Sequence, residues 1–175
     1  MVRNSLIDKL CDDSTWKDFI QRKVADSKTR NAAAMREFVE NGTYRVVVEG
    51  IRDGTYEFSP VRRIEVPKPG SDDKRVVYTY KRKDITEHMV LRVFADLLQT
   101  HDGIFSDNLY SFRNKGGVQG AIAKLRSIED IGSKYAYKVD ITKYFNSIDR
   151  DRMIEVLRST AIDEKSCEFV EMILK

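Results

Sequence analysis

Asp140 is the residue at which the sequence most directly suggests chemistry. The apolar stretch around it predicts a short strand from Lys134 to Ile141, and Phe145 follows five residues after Asp140, where a helix begins. A carboxylate at the end of a buried strand is costly unless it faces an opening and meets a cation. Mg²⁺ is often held in this way, with substrate phosphates as further ligands. The segment therefore suggests a carboxylate that binds a metal ion near a phosphate group, and the alternative is an ordinary turn or helix-capping carboxylate.

A second group of chemically suggestive residues is basic. The whole chain of 175 residues has a net charge of only +3, yet residues 61–83 contain eight basic side chains and three acidic ones. The basic residues are Arg62, Arg63, Lys68, Lys74, Arg75, Lys81, Arg82 and Lys83. A local positive excess of this kind indicates contact with phosphates. The alternative is a solvated hairpin, and charge alone favours that alternative.

Two predicted strands position this basic cluster. Apolar and polar residues alternate at 61–66 and again at 75–80, and the residues between them, 67–74, are typical of a turn. Together they predict a two-stranded hairpin with a long basic tip. Elsewhere the periodicity is helical, so the predicted fold class is α+β. The predicted helices cover 14–26, 30–41, 44–52, 85–101 and 118–128, then a segment that ends at 160 and a last one that begins after 163.

Polar residues mark where these helices begin. Ser14 or Asp13 is the predicted N-cap of the first helix, and Gly116-Gly117 breaks the chain before the helix at 118–128. The other predicted N-caps are Asp84, then Asp149 or Asp151, then Asp163. Asp149 lies nine residues past Asp140, and we interpret it as an N-cap rather than as a second metal ligand.

Cysteine and histidine offer little sign of a metal site. Cys11 and Cys167 are far apart and have no metal-type spacing, so we expect two free thiols. His88 and His101 lie toward either end of one predicted helix, where we expect surface or capping roles. No apolar run approaches the length of a membrane span, which makes a cytoplasmic location the default.

Two segments carry most of a resemblance to a known family. The sequence from Ser59 to Lys68, followed after a turn by Arg75, is similar to the fingers hairpin of prokaryotic reverse transcriptases. The segment that contains Asp140 and Phe145 resembles the first metal-binding motif of that family, in which Phe or Tyr follows Asp by five residues. The resemblance favours an RNA-directed DNA polymerase, either of the group II intron type or of a divergent type such as the phage-defence enzymes.

A third segment fits between these two in the same order. Residues 105–113 resemble the template-contacting segment of the family, although Ser111 replaces the usual Gly and Asn114 replaces the usual Pro. The resemblance implies that Arg113 contacts nucleic acid, as we also expect of Arg63 on the hairpin. An ion pair between Arg113 and Asp107, or another acid in the same loop, is an equally good interpretation.

The resemblance also implies roles for the other matching residues. Lys68 and Arg75 would contact the triphosphate of an incoming dNTP. Asp140 would bind both catalytic metal ions, with help from the backbone carbonyl of Ile141. Phe145 would pack under the sugar and exclude a 2′-hydroxyl. The implied cofactor is Mg²⁺, with Mn²⁺ as a substitute, and the implied partners are an RNA template, a DNA or RNA primer and dNTPs, without a membrane.

The implied fold is a right-hand polymerase that is present only in part. It would comprise a helical region at 1–55, fingers at 56–132 and the start of a palm at 133–175. A palm needs further carboxylates, usually in a Tyr-x-Asp-Asp turn, and the sequence has no such turn; its two Asp-Asp pairs, Asp12-Asp13 and Asp72-Asp73, lie in polar turns. The last helix also keeps an apolar face to the end of the sequence. We therefore expect the N-terminal portion of a longer enzyme, inactive alone.

Other functions compete with this one. An RNA-dependent RNA polymerase shares the implied fold, but Phe145 argues for dNTPs. A nucleotidyl cyclase of the diguanylate type would need a Gly-Gly-Asp/Glu-Glu-Phe turn, which the sequence lacks. A non-catalytic RNA-binding module would use the basic hairpin together with aromatic side chains, namely Tyr78, Tyr80, Tyr110 and Phe112. Asp140 distinguishes this last alternative, because a pure binder gains nothing from a carboxylate where phosphates pass.

Overall fold

The protein has an α+β fold, as the sequence predicts, and it divides into two compact units. The computed structural model describes residues 5–25, 27, 30–79, 85–111, 115–142, 144–160 and 162–174. The first unit comprises residues 1–97 and 163–175, and the second comprises residues 98–162. Among the described residues, no helix is both long enough and apolar enough to cross a membrane.

Most helices and both paired strands belong to the first unit. Its elements, in chain order, are α1 (Leu6–Leu10), α2 (Asp13–Lys23), α3 (Arg30–Glu40), α4 (Tyr44–Arg52), β1 (Arg62–Pro67), β2 (Lys74–Thr79) and α5 (Thr86–Leu98). The second unit continues with α6 (Gly117–Arg126), α7 (Tyr144–Ser147) and α8 (Arg150–Ser159), with 3₁₀ turns at Gln99–Ile104 and Ile131–Ser133. The last helix, α9 (Glu164–Leu174), belongs to the first unit.

An aromatic cluster forms the centre of the first unit. The ring of Trp16 stacks on that of Tyr44 with 4.3 Å between centroids, and Phe38 packs against both. The indole N–H of Trp16 donates a hydrogen bond of 2.7 Å to the carbonyl of Leu10, so the buried ring has its polar atom satisfied. This cluster joins α2, α3 and α4 into one core.

Asp13 supports this core from outside and does not cap α2. Its carboxylate accepts a hydrogen bond of 2.5 Å from the Tyr44 hydroxyl and pairs with Arg45 at 2.6 Å. These hydrogen bonds, from Arg45 first and then Tyr44, hold the pKa of Asp13 well below its usual range. The N-cap is Asp12, whose side chain accepts from the Ser14 amide at 2.8 Å. The prediction that Ser14 or Asp13 caps this helix is therefore wrong by one residue.

The two separated parts of the first unit meet at α9. Phe169 packs edge-on against Phe94 of α5, with 4.6 Å between ring centroids. Asp163 caps α9 through the Ser166 amide at 3.0 Å, as predicted, and its other oxygen accepts from the Leu6 amide at 3.1 Å. Burial raises the pKa of Asp163, but hydrogen bonds from Ser166 and Leu6 outweigh burial and leave that pKa lowered. The Asp163 carboxylate thus accepts backbone hydrogen bonds from the first turns of both α1 and α9.

Several other predictions about local structure are confirmed. Helix α4 has the predicted bounds, and Asp149 caps α8 through the Arg152 amide at 3.0 Å. Gly116 adopts a left-handed φ of 77° and starts α6, where a side chain would be strained. Cys11 and Cys167 are not joined in a disulfide bond, as expected. The predicted cap Asp84 lies outside the described residues.

The second unit exposes much of its apolar surface. Helix α6 has no buried side chain, and Tyr135 and Tyr137 are almost fully exposed. The predicted strand at 134–141 is wrong, because this stretch has no secondary structure. A strand needs a neighbour for its backbone hydrogen bonds, and in the described part of the chain β1 pairs only with β2.

Candidate functional site

The hairpin of β1 and β2 sorts its side chains onto two faces. Its strands are antiparallel, and Val66 lies opposite Arg75 while Arg63 lies opposite Tyr78. Side chains alternate between faces along a strand, and directly opposed residues share a face. One face, here called the Arg75 face, carries Arg62, Ile64, Val66, Arg75, Val77 and Thr79. The other, here called the Tyr78 face, carries Arg63, Glu65, Pro67, Lys74, Val76 and Tyr78.

Lys68 and Arg75 share one face of the hairpin. The Lys68 amide donates to the Asp73 carbonyl at 2.9 Å, which extends the ladder one pair beyond Pro67 and Lys74. Alternation then puts Lys68 on the Arg75 face, diagonal to Arg75. The two cations expected at a triphosphate are therefore neighbours on this face, where Val66 lies directly opposite Arg75.

The two cations differ in their present partners. The Lys68 ammonium lies 3.5 Å from the Asp73 carboxylate, and both side chains are at least half exposed. Arg75 has no ion pair with any described residue. An exposed ion pair is worth about 0–1 kcal/mol, so Lys68 is readily released. Both cations are thus available to an anion from solvent.

Arg63 lies on the opposite face, where it has a carboxylate partner. Its guanidinium is 3.1 Å from the Glu65 carboxylate, and the Lys74 ammonium is 3.8 Å from the other oxygen of Glu65. Tyr78, opposite Arg63, is 59% exposed. The hairpin therefore separates Arg63 from Lys68 and Arg75, which sequence reasoning had grouped in one basic cluster.

Glu87 fixes the root of the hairpin, and sequence reasoning missed it. This residue in the first turn of α5 is 1% exposed, and its Oε1 accepts hydrogen bonds from the Ser59 amide and, at 3.4 Å, from the Tyr56 hydroxyl. Ser59 precedes β1 by three residues. A signal was present, because Glu87, Val90 and Phe94 recur at helical spacing on the buried face of α5.

The Asp140 segment belongs to the second unit. Asp140 and Ile141 are exposed and lie in irregular backbone, and Phe145 lies in the short helix α7. Because no neighbouring strand covers this stretch in the described structure, the buried strand end that sequence reasoning assumed for Asp140 is absent. The roles assigned to these three residues stay predictions.

The described residues do not by themselves assemble a site for a divalent metal ion. No group of three or more His, Cys, Asp or Glu side chains in the described ranges is arranged to hold one. Asp140 with the Ile141 carbonyl would supply two protein oxygens, whereas Mg²⁺ requires six ligands in octahedral geometry. The remaining ligands of such an ion would be waters, substrate phosphates or further carboxylates.

Arg113 is the predicted template contact. Arg113 lies outside the described residues, as do Tyr80, Phe112 and Asn114. Its proposed alternative partner, Asp107, pairs with Lys115 at 3.0 Å. The Asp107 carboxylate therefore already has a cation beside it.

Comparison with known proteins identifies distant relatives. The chain is 27% identical over 122 residues to a protein named for intron 1 of COX1/OXI3 in Saccharomyces cerevisiae, which covers 70% of this chain and 14% of that protein. It is 25% identical over 131 residues to the group II intron-encoded protein LtrA of Lactococcus lactis subsp. cremoris, covering 74% of this chain and 21% of that protein. No family model matches the chain. The similarity confirms the predicted resemblance to group II intron proteins.

The matched region is a small part of these relatives. The chain covers less than a quarter of the length of each curated relative named above. The similarity therefore concerns one segment of each relative, and what the whole relatives do is not carried over to this chain by it.

Proposed function

We propose that this chain supplies the nucleotide-binding hairpin and one metal-binding carboxylate of an RNA-directed DNA polymerase. The observation that supports this most is the similarity to group II intron-encoded proteins, which extends over 70–74% of the chain. The order of the hairpin and the Asp140 segment along the sequence agrees with that assignment.

In this proposal the hairpin binds the incoming dNTP. Lys68 and Arg75 neutralise the triphosphate, whose negative charge grows on the departing pyrophosphate. Arg75 offers a planar fork that grips two oxygens, whereas Lys68 acts as a point charge. Lys68 must first leave Asp73, which costs little because the pair is exposed.

Asp140 is one ligand of Mg²⁺ in the whole protein, and Ile141 adds its carbonyl. Phe145 excludes the 2′-hydroxyl and thereby favours dNTPs. Further carboxylates must come from other parts of the whole protein, because two metal ions need more oxygen ligands than Asp140 and Ile141 provide. The chain of 175 residues is therefore inactive alone.

RNA is the proposed template, and a DNA or RNA strand is the primer. Arg63 and Arg113 contribute contacts to the phosphates of these strands. Such contacts hold the nucleic acid in register without reading its sequence.

Primer extension by the whole protein that contains this chain tests the proposal. Asp140→Asn should reduce dNTP incorporation on an RNA template by a factor on the order of a thousand, as expected for loss of a residue at the reacting centre. Asp149→Asn is the matched control, since Asp149 caps α8 and asparagine caps helices equally well. That control should retain activity.

Two results would contradict the proposal. If Asp140→Asn and Asp149→Asn were equally active, Asp140 would have no part in catalysis. The second is that the whole protein binds RNA and yet incorporates no nucleotide at any concentration of Mg²⁺ or Mn²⁺. That result would replace the polymerase proposal with the alternative of a non-catalytic RNA-binding module. Incorporation of NTPs in preference to dNTPs would instead indicate an RNA-dependent RNA polymerase.

A further inference from the structure

The Tyr78 face has the composition of a surface for single-stranded nucleic acid. Tyr78 and Val76 are exposed neighbours on β2, and Arg63 lies directly across from Tyr78. Lys74 lies on the same face near the turn. An exposed aromatic ring beside a cation, with a second cation further along the same face, offers stacking to a base and charge to the adjoining phosphates.

Glu65 occupies the middle of this face and contacts both of its cations. One carboxylate oxygen lies 3.1 Å from Arg63 and the other lies 3.8 Å from Lys74. A carboxylate that contacts two cations through separate oxygens occupies the position that a phosphate would take. In the free protein, Glu65 therefore competes with any phosphate for Arg63 and Lys74.

The competition is weak enough to be reversed by a ligand. All three side chains are substantially exposed, with side-chain exposures of 56% for Arg63, 43% for Glu65 and 62% for Lys74. Ion pairs exposed to this degree gain little from Coulomb attraction in water and are screened by salt. A phosphodiester chain carries many charges and can displace a single carboxylate.

We propose that the Tyr78 face binds single-stranded RNA and that Glu65 is a built-in competitor which releases Arg63 and Lys74 when RNA phosphates arrive. The choice of RNA rests on the proposed function and on the relatives named for introns. Glu65 then lowers the affinity of this face for phosphates, and a strand with several phosphates overcomes that competition.

Binding of a fluorescently labelled oligouridine to the 175-residue chain tests this proposal. At low salt, Glu65→Gln should bind about twofold to fivefold more tightly than the unmodified chain, which is the strength of an exposed ion pair expressed as a ratio. Asp72→Asn is the matched control. It removes one negative charge from the same hairpin, but Asp72 has no ion pair with a described residue. Its effect should be smaller, and both differences should shrink as KCl rises.

The same measurements contain the outcomes that would overturn the proposal. Equal gains from Glu65→Gln and Asp72→Asn would mean that net charge alone matters. Weaker binding by Glu65→Gln would mean that Glu65 supports the surface. If Tyr78→Ala bound RNA as tightly as the unmodified chain, the Tyr78 face would not be the RNA-binding site. Unchanged circular dichroism spectra would exclude misfolding of the variants.

Failure here is distinguishable from failure of the proposed polymerase function. If the chain has no affinity for RNA while the whole protein extends primers, only the Tyr78 face is wrong. If Glu65→Gln strengthens binding as expected while the whole protein incorporates no nucleotide, the surface stands and the polymerase assignment falls.

Discussion

The two units differ in how deeply their apolar side chains are buried. In the first unit Trp16, Met89 and Val93 are almost fully buried, whereas in the second Tyr135 and Tyr137 are almost fully exposed. Burial of apolar surface is the main favourable term in folding. The first unit therefore holds most of the folding free energy of this chain. The second carries Asp140 on a segment that contributes little to that energy.

Two substitutions, one in each unit, test this difference in burial. Trp16→Ala should lower the free energy of unfolding by about 3–5 kcal/mol, because it removes a buried ring from the centre of the core. Tyr137→Ala should change it by less than about 0.5 kcal/mol, because that ring is 92% exposed. Urea denaturation of the 175-residue chain measures both. Equal decreases in the free energy of unfolding would show that the segment around Tyr137 is packed in solution.

A smaller effect is expected at the root of the hairpin. Glu87→Ala leaves the Ser59 amide and the Tyr56 hydroxyl without this acceptor, which should cost about 1–3 kcal/mol of unfolding free energy. Hydrogen exchange should accelerate at Ser59. Glu87→Gln keeps an acceptor oxygen and serves as the matched control.

The opposite result at Glu87 would also be informative. Its second oxygen is buried and has no hydrogen-bond partner among the described residues. If Glu87→Ala left stability unchanged or raised it, the cost of burying this carboxylate would exceed the value of its hydrogen bonds. The anchoring of the hairpin to α5 would then depend on packing alone.

The smallest expected effect is a pH dependence within the aromatic cluster. Burial, and then the hydrogen bond to Asp13, raise the pKa of Tyr44 from 10.0 to about 12. Since the folded state favours the protonated phenol, this stabilisation is complete below pH 10 and is lost as pH rises toward 12. Tyr44→Phe lacks the ionisable group. The stability difference between the unmodified chain and this variant should therefore narrow between pH 10 and 12 in urea denaturation.

A constant difference across that range would contradict the prediction. The other ionisable groups are common to both proteins and cancel in the comparison. A constant difference would mean that the Tyr44 phenol ionises equally easily in the folded and unfolded chain.

Local features of the fold were predictable from the sequence. Helix α4 and the caps Asp149 and Asp163 depend on residues within one or two turns, and the sequence predicts them correctly. The same local reasoning misplaced the α2 cap by one residue, because adjacent acids at Asp12 and Asp13 are both good caps. It also missed α1, a helix of only five residues.

Features that depend on distant partners were not predictable. The stretch at 134–141 has the composition of a strand, but a strand forms only beside another one. The burial of Glu87 depends on the path of Tyr56 and Ser59, which lie about thirty residues earlier. The split of the basic cluster between two hairpin faces depends on the register of β1 and β2. The sequence therefore predicts which residues belong to the candidate site. It does not predict which side chains pair with them in the fold.

The double role of Asp163 has a consequence for synthesis on the ribosome. Its carboxylate joins the Leu6 amide to the start of α9, and Phe169 completes the packing around Phe94. The nascent first unit must therefore wait until residues 98–162 have been translated before its last helix exists. Contacts over such a sequence separation slow folding. During that interval the unfinished core presents apolar surface, which makes it the part of the nascent chain most exposed to chaperones.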